Sequence, residues 1–241
     1  MAFGHRQKKV REDHHSIEID GREIPLIVRT HPRARRMILR INTAGEGAVV
    51  TIPAHINPAD GLDMARRQTA WLQSHLKDLG ERTAFRDGVQ VPYQGDQYTI
   101  RHRADARDTV WIEDDEIIIA GKIEHLSRRL DDWMKKQARA TITALAHEKA
   151  DQIKKTVNRI TIRDTRTRWG SCSFKGCLSF SWRLILAPPE ILDYVVAHEV
   201  AHLTHMNHSR EFWDAVDTLT GSANTGRAWL SDNGSALHRI G

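Results

Sequence analysis

The chain has 241 residues, enough for one or two domains, and 40% of them are hydrophobic, which supplies a real core and excludes wholesale disorder. Its mean hydropathy is −0.52, and apolar runs such as residues 194–197 (YVVA) last a few residues where a bilayer crossing needs about 20. Lys and Arg number 36 against 31 Asp and Glu, an excess spread along the chain that fits ordinary solubility, so a soluble, cytoplasmic protein with no membrane partner is expected.

Residues 1–15 carry basic side chains but no apolar stretch, so they read as a polar tail rather than a secretory signal. Residues 16–19 and 24–30 surround Asp20-Gly21, a hairpin signal. Residues 36–42 (RMILRIN) and 48–52 (AVVTI) flank Gly45-Glu46-Gly47 and predict a second hairpin. From Pro58 the period turns helical: Leu62, Ala65, Thr69, Leu72, Leu76 and Leu79 recur at three and four, and Gly80 stops the helix. Strands resume at 89–93, 97–103, 109–113 and 116–120, with Asp114-Asp115 turning between the last two. Past Gly121, the residues Ile123, Leu126, Leu130, Trp133, Ile142 and Leu145 share one face of a long helix running to about residue 155. Residues 158–164 (NRITIRD) and 176–186 (GCLSFSWRLIL) are strand-like runs joined by a polar Gly/Ser loop. Pro188-Pro189 then opens a helix with Glu190 in its first turn, where a carboxylate suits the positive end of the dipole. The organisation is a tail over 1–15, a β-rich region with one helix over 16–121, and a mixed region over 122–241.

Within YVVAHEVAHLTHMNHSREFW (194–213), His198-Glu199-x-x-His202 places two imidazoles one turn apart on one helical face, where both reach one ion. Glu199, rotated by about 100°, lies beside that ion, where the general base for a zinc-activated water belongs. The chain holds 14 histidines, so such pairs arise by accident. His147-Glu148, followed by Asp151 where a second histidine would stand, is read as a solvated helix face. A catalytic zinc needs a third protein ligand. His205 shares the stripe, but a continuing helix would set it about 10 Å along the axis from His198, too far for three corners of one tetrahedron. The chain must turn back, for which Asn207 offers a left-handed residue, and His208 follows as the third ligand, with His205 as the alternative. The spacing HExxHxxxxxH looks like that of metzincins, although the glycine of their turn is His205 here and no Met-turn follows.

A longer block, Thr167-Arg168-Trp169-Gly170-Ser171-Cys172-Ser173, then 178–186, Ala187-Pro188-Pro189 and 194–213, resembles the YgjP-like metallopeptidases, relatives of the SprT and WLM zinc proteases. The upstream hairpins, the helix around Trp71 and Val91-Pro92-Tyr93-x-Gly95 look like that family's N-terminal half, so the likeness spans about residues 20–235, as one continuous domain. The resemblance implies an α+β fold: a zincin-like catalytic region whose HExxH helix packs on a mainly antiparallel sheet, preceded by the β-rich half. It implies a metalloendopeptidase with one Zn2+ ion held by His198, His202 and His208, with Glu199 catalytic and a protein or peptide as substrate. Ala201 stands where some relatives carry cysteine.

Arg168 and Trp169 either shape the cleft wall, or Trp169 packs under the active helix while Gly170 makes a tight turn. Cys172 and Cys177 are half of a structural metal site at most, and read better as unpaired cysteines in strands. Arg183 and His205 are the candidates for stabilising the oxyanion. A rival reading is a nucleic-acid-associated protein: SprT-like relatives include proteases acting on DNA-bound proteins, and residues 33–40 (RARRMILR) are basic. Those charges look more like a solvated edge strand. A zinc-stabilised domain with little turnover is a third reading, against which Glu199 stands, since a purely structural site has no use for a base.

Overall fold

In a computed structural model of the chain, the described residues are 10–42, 47–78, 82–105, 109–165, 168–221 and 223–241. They are α+β, and contacts divide the chain into two compact units, Met1–Gly80 and Glu81–Gly241. The change of texture at Gly121 lies inside the second unit, because Ile117 and Ile119 just before it enter the same core as the long helix after it.

In the first unit, β1 (Arg11–Ile19) and β2 (Arg22–His31) form a hairpin. Asp20 and Gly21 turn it with φ of 52° and 73°, the left-handed pair that matches strand twist. Residues 11–15, expected in the tail, belong to β1: backbone pairing continues past the apolar pattern, and Glu12 meets Arg29 across the ladder at 2.7 Å. Residues 1–9 lie outside the described residues. β3 (Ile38–Asn42) and β4 (Gly47–Pro53) pair antiparallel as expected, although their connection, residues 43–46, is outside the described residues. β4 runs parallel to β2, giving the order β1-β2-β4-β3. Of the basic stretch at 33–40, only Ile38, Leu39 and Arg40 are in a strand; Arg33, Arg35 and Arg36 precede β3 in a loop.

The single helix expected from Pro58 is two, α1 (Pro58–Arg67) and α2 (Thr69–Asp78). Asn57 caps α1 by accepting from Ala59 N at 3.0 Å. At the break the turn tightens, with Gln68 N donating to Ala65 O at 3.1 Å, and the Thr69 hydroxyl donates to the Arg66 carbonyl at 2.6 Å. Ala65 and Leu72 still reach the core beside Leu26, Val28, Val50 and Ile52. The expected end at Leu79-Gly80 lies outside the described residues.

The second unit starts with β5 (Gln90–Tyr93), β6 (Asp96–Arg103), β7 (Val110–Glu113) and β8 (Glu116–Ala120), in the order β5-β6-β8-β7. Asp114 turns β7 into β8 with φ of 51°. A 3-10 turn holding the exposed Ile123 precedes α3 (Leu126–Gln152). The stripe that α3 buries is Leu130, Met134, Ala138, Ile142 and Ala146, at intervals of four. His147, Glu148 and Asp151 are exposed, as the solvated-face reading requires.

β9 (Arg159–Arg163), β10 (Gly170–Cys172) and β11 (Cys177–Ser181) make a mixed sheet, with β11 antiparallel to β10 and parallel to β9. The long run at 176–186 is strand only to Ser181. Trp182–Leu186 coils into a buried 3-10 turn, started by the Ser181 hydroxyl accepting from Arg183 N at 3.4 Å, a switch that an unbroken apolar run cannot announce. Then follow α4 (Pro189–Ala201), α5 (Arg210–Thr220) and α6 (Ala223–Leu237). Among the described residues no helix is long and apolar enough to cross a membrane.

One buried ionic joint ties three helices. Lys149 of α3 donates to Leu219 O of α5 at 2.6 Å and meets Asp193 of α4 at 2.6 Å, while Thr220 donates to the other Asp193 oxygen at 2.6 Å. Removing the carboxylate strands a buried ammonium. Asp193→Ala is therefore expected to lower unfolding free energy by about 3 kcal/mol, read from urea denaturation.

Candidate metal centre

Pro189 at the first turn and Glu190 behind it start α4, and the apolar residues Ile191, Val195, Val196 and Val200 bury it. The helix stops at Ala201. Leu203 N donates to Val200 O at 2.9 Å, and Thr204 N and His205 N both donate to Ala201 O at 3.0 Å, so the last turn tightens and the chain leaves the axis. Asn207 does not take the left-handed conformation expected of it; these tightened turns redirect the chain instead.

The redirected segment brings His208 back. His198, His202 and His208 form the one group of potential metal ligands among the described residues, each offering a ring nitrogen within 4.8 Å of the others. Two nitrogens on one tetrahedral zinc, each about 2.0–2.1 Å from it, lie about 3.3 Å apart. Nε2 of His198 and Nε2 of His208 are 3.2 Å apart. His202 Nδ1 is 2.9 Å from the His205 carbonyl, to which it donates, which leaves Nε2 as the free lone pair. Burial first, then the two neighbouring histidines and Arg227, push the His198 pKa down to about 4. Burial lowers that of His202 as well. These two rings are thus held neutral, the form that coordinates a metal. The set fits one zinc ion in donor type, number and spacing.

His205 contributes its carbonyl, and its half-buried ring is outside the cluster. Packing supplies what hydrogen bonds do not. Nδ1 of His198 is buried with no hydrogen-bond partner among the described residues. The fully buried Phe212 of α5 lies against all three rings, with centroids 4.9 Å from His198, 4.5 Å from His202 and 4.7 Å from His208. Trp213 backs His198 and His208 at 5.8 Å and 5.9 Å.

Glu199, 6% exposed, points at β10. A Cβ on Gly170 would lie 2.5 Å from its Cγ and 2.5 Å from Oε1. Gly170 does not have a positive φ, so it is glycine for this close approach and not for a tight turn. Burial lifts the Glu199 pKa to about 7, and the charge of Arg168 opposes that rise. Arg168 is exposed, and its carbonyl accepts from the Thr165 hydroxyl at 2.8 Å. Trp169 stacks at 4.4 Å on His238, the residue after α6, and lies next to Gly234 of that helix. Thr167 lies outside the described residues.

Arg183 is buried and engaged by other partners: it donates to Asp164 and to Ile240 O, the latter at 3.2 Å, and ties down the segment after α6. Arg227 is a residue that sequence reasoning missed. Its guanidinium lies 5.8 Å over the Trp213 ring and its charge bears on His198, a placement set by α6 with no motif to announce it. Cys172 and Cys177 are free, half-buried and outside the metal cluster. Burial, then the charge of Glu199, push the Cys172 thiol up to about 11.

An α+β unit presenting three convergent histidines for one zinc ion defines a zincin-like metalloendopeptidase. The chain belongs to the YgjP-like family: the model of the YgjP-like metallopeptidase domain matches residues 35–233. Among curated proteins and among solved structures, no match to the chain is found.

Replacing Phe212 by Ala removes the surface that orients all three rings. Phe212→Ala is expected to weaken zinc binding by about tenfold or more, measured by competition with a chromogenic chelator. It should also cost about 3–5 kcal/mol in urea unfolding of the metal-free protein.

Proposed function

We propose that the protein hydrolyses peptide bonds with Glu199 as general base beside a zinc ion held by His198, His202 and His208. Zinc, when bound, supplies a Lewis acid that acidifies an attacking water and polarises the scissile carbonyl. Glu199 takes the proton of that water on its carboxylate and hands it to the leaving amine. The observation that carries this reading is the packing of Glu199. It is buried one residue from a zinc ligand, forms no ion pair among the described residues, and is held against the Gly170 backbone. A carboxylate that served only the fold would be expected to meet a cation or a helix end.

β10 supports the reading further. It is an edge of the sheet β10-β11-β9, and an extended substrate added along it would run past Glu199. The Arg168 guanidinium, whose charge reaches Glu199, favours the ionised base.

Glu199→Gln is expected to keep stoichiometric zinc by elemental analysis while cleavage of unfolded casein falls by about a hundredfold or more. Full activity in that variant would overturn the role. His202→Ala should lose both metal and activity. Gly170→Ala, which pushes a methyl into Glu199, is expected to lower kcat at least about tenfold with zinc retained.

A further inference from the structure

β9 is the other edge of the three-stranded sheet, and no described strand pairs with its outer side. Facing that edge is the solvent side of α3. Between them runs a groove of about 630 Å³, with Ala140, Thr143 and Ala144 of the helix on one wall and Val157, Arg159 and Ile160 on the other. Ala140 and Ala144 lie on the exposed side of α3. Small side chains there leave a channel beside an open ladder, and the next strand of a sheet would lie about 4.8 Å out from β9. A second cavity of about 490 Å³ continues the groove along Ile162 and Arg163, sharing Arg139 with the first. At the opposite end a third, of about 270 Å³, shares Asn158 with the first and reaches the metal ligand His202.

The groove carries an excess of positive charge. Lys136, Arg139, Arg159 and Arg163 line it and form no ion pair among the described residues. The two carboxylates that line it are already engaged, Asp132 by Arg128 and Asp164 by Arg183. Neither cavity beside β9 is lined by Phe, Tyr or Trp, so stacked bases find no platform there. Unpaired backbone groups along a strand edge recognise another polypeptide backbone.

We propose that an extended acidic segment of the protein substrate adds to β9 as a fourth strand. Its carboxylates meet Lys136, Arg139, Arg159 and Arg163, and its chain continues past Asn158 toward the histidine cluster. That the occupant is substrate rests on the peptidase reading above; the docking itself does not.

The test uses the full chain and a labelled peptide of about ten residues alternating Glu and Val, followed by fluorescence anisotropy with and without EDTA. Saturable, metal-independent binding is expected, weakened at least about tenfold by the double variant Arg139→Glu, Arg163→Glu. It should be lost when alternate peptide nitrogens are methylated. Fusing the same stretch to a casein-derived segment should lower KM in the wild type, with kcat unchanged, and leave KM unchanged in the double variant. Equal binding of the methylated peptide, indifference to the double variant, or tighter binding of an oligodeoxynucleotide of similar length would overturn the proposal. Peptide binding with no cleavage of any substrate would remove the substrate assignment through the failure of the peptidase reading, an outcome distinct from loss of docking.

Discussion

Two imidazoles one helical turn apart can share an ion, but a straight helix has no third position that can join them. The metal centre therefore depends on α4 ending at Ala201 and on the chain folding back within a few residues. The amides of Leu203, Thr204 and His205 turn onto the last carbonyls of the helix and make that stop. The same turn sets the His205 carbonyl against Nδ1 of His202. A single local event thus ends the helix, selects the tautomer of the second ligand and aims the chain so that His208 returns. α5 then begins at Arg210 and carries Phe212 into the space among the rings.

Around this centre, close approach does the positioning. Gly170 lets Glu199 lie against β10, and Gly226 of α6 lets the Tyr194 ring of α4 lie against that helix. Gly234, one helical stretch further, receives Trp169, which in turn stacks on His238. Each glycine marks a place where a large side chain of one element meets the bare backbone of another. The buried joint of Lys149, Asp193 and Leu219 holds the early part of α4 to α3 and α5, so the two ends of the active helix are fixed by different means. The early part is tied by charge and the later part by rings.

Periodicity and turn chemistry made the hairpin at Asp20-Gly21, the strands before Gly121, α3 and α4 readable in advance, because each is specified by neighbours in the chain. The histidine cluster was readable for the same reason: His198, His202 and His208 lie within ten positions of one another, and tetrahedral geometry alone disfavours His205. Part of what could not be read depends on contacts distant in sequence. Gly170 looks like a turn glycine until Glu199 is seen beside it, and Arg183 looks like a cleft residue until Asp164 and Ile240 claim it. The split of α1 from α2 at Gln68 and the coil at 182–186 are local events, accompanied by the hydroxyl contacts of Thr69 and Ser181, within patterns that otherwise continue.

Phe212 touches the rings of all three histidines, so these side chains do not respond to change one at a time. Shortening any one of them opens a void against the shared phenyl face, into which the other two relax. Losses of metal affinity from paired substitutions in the cluster will consequently fall short of the sum of the single losses, with the shortfall measuring how rigidly one benzene ring couples the triad.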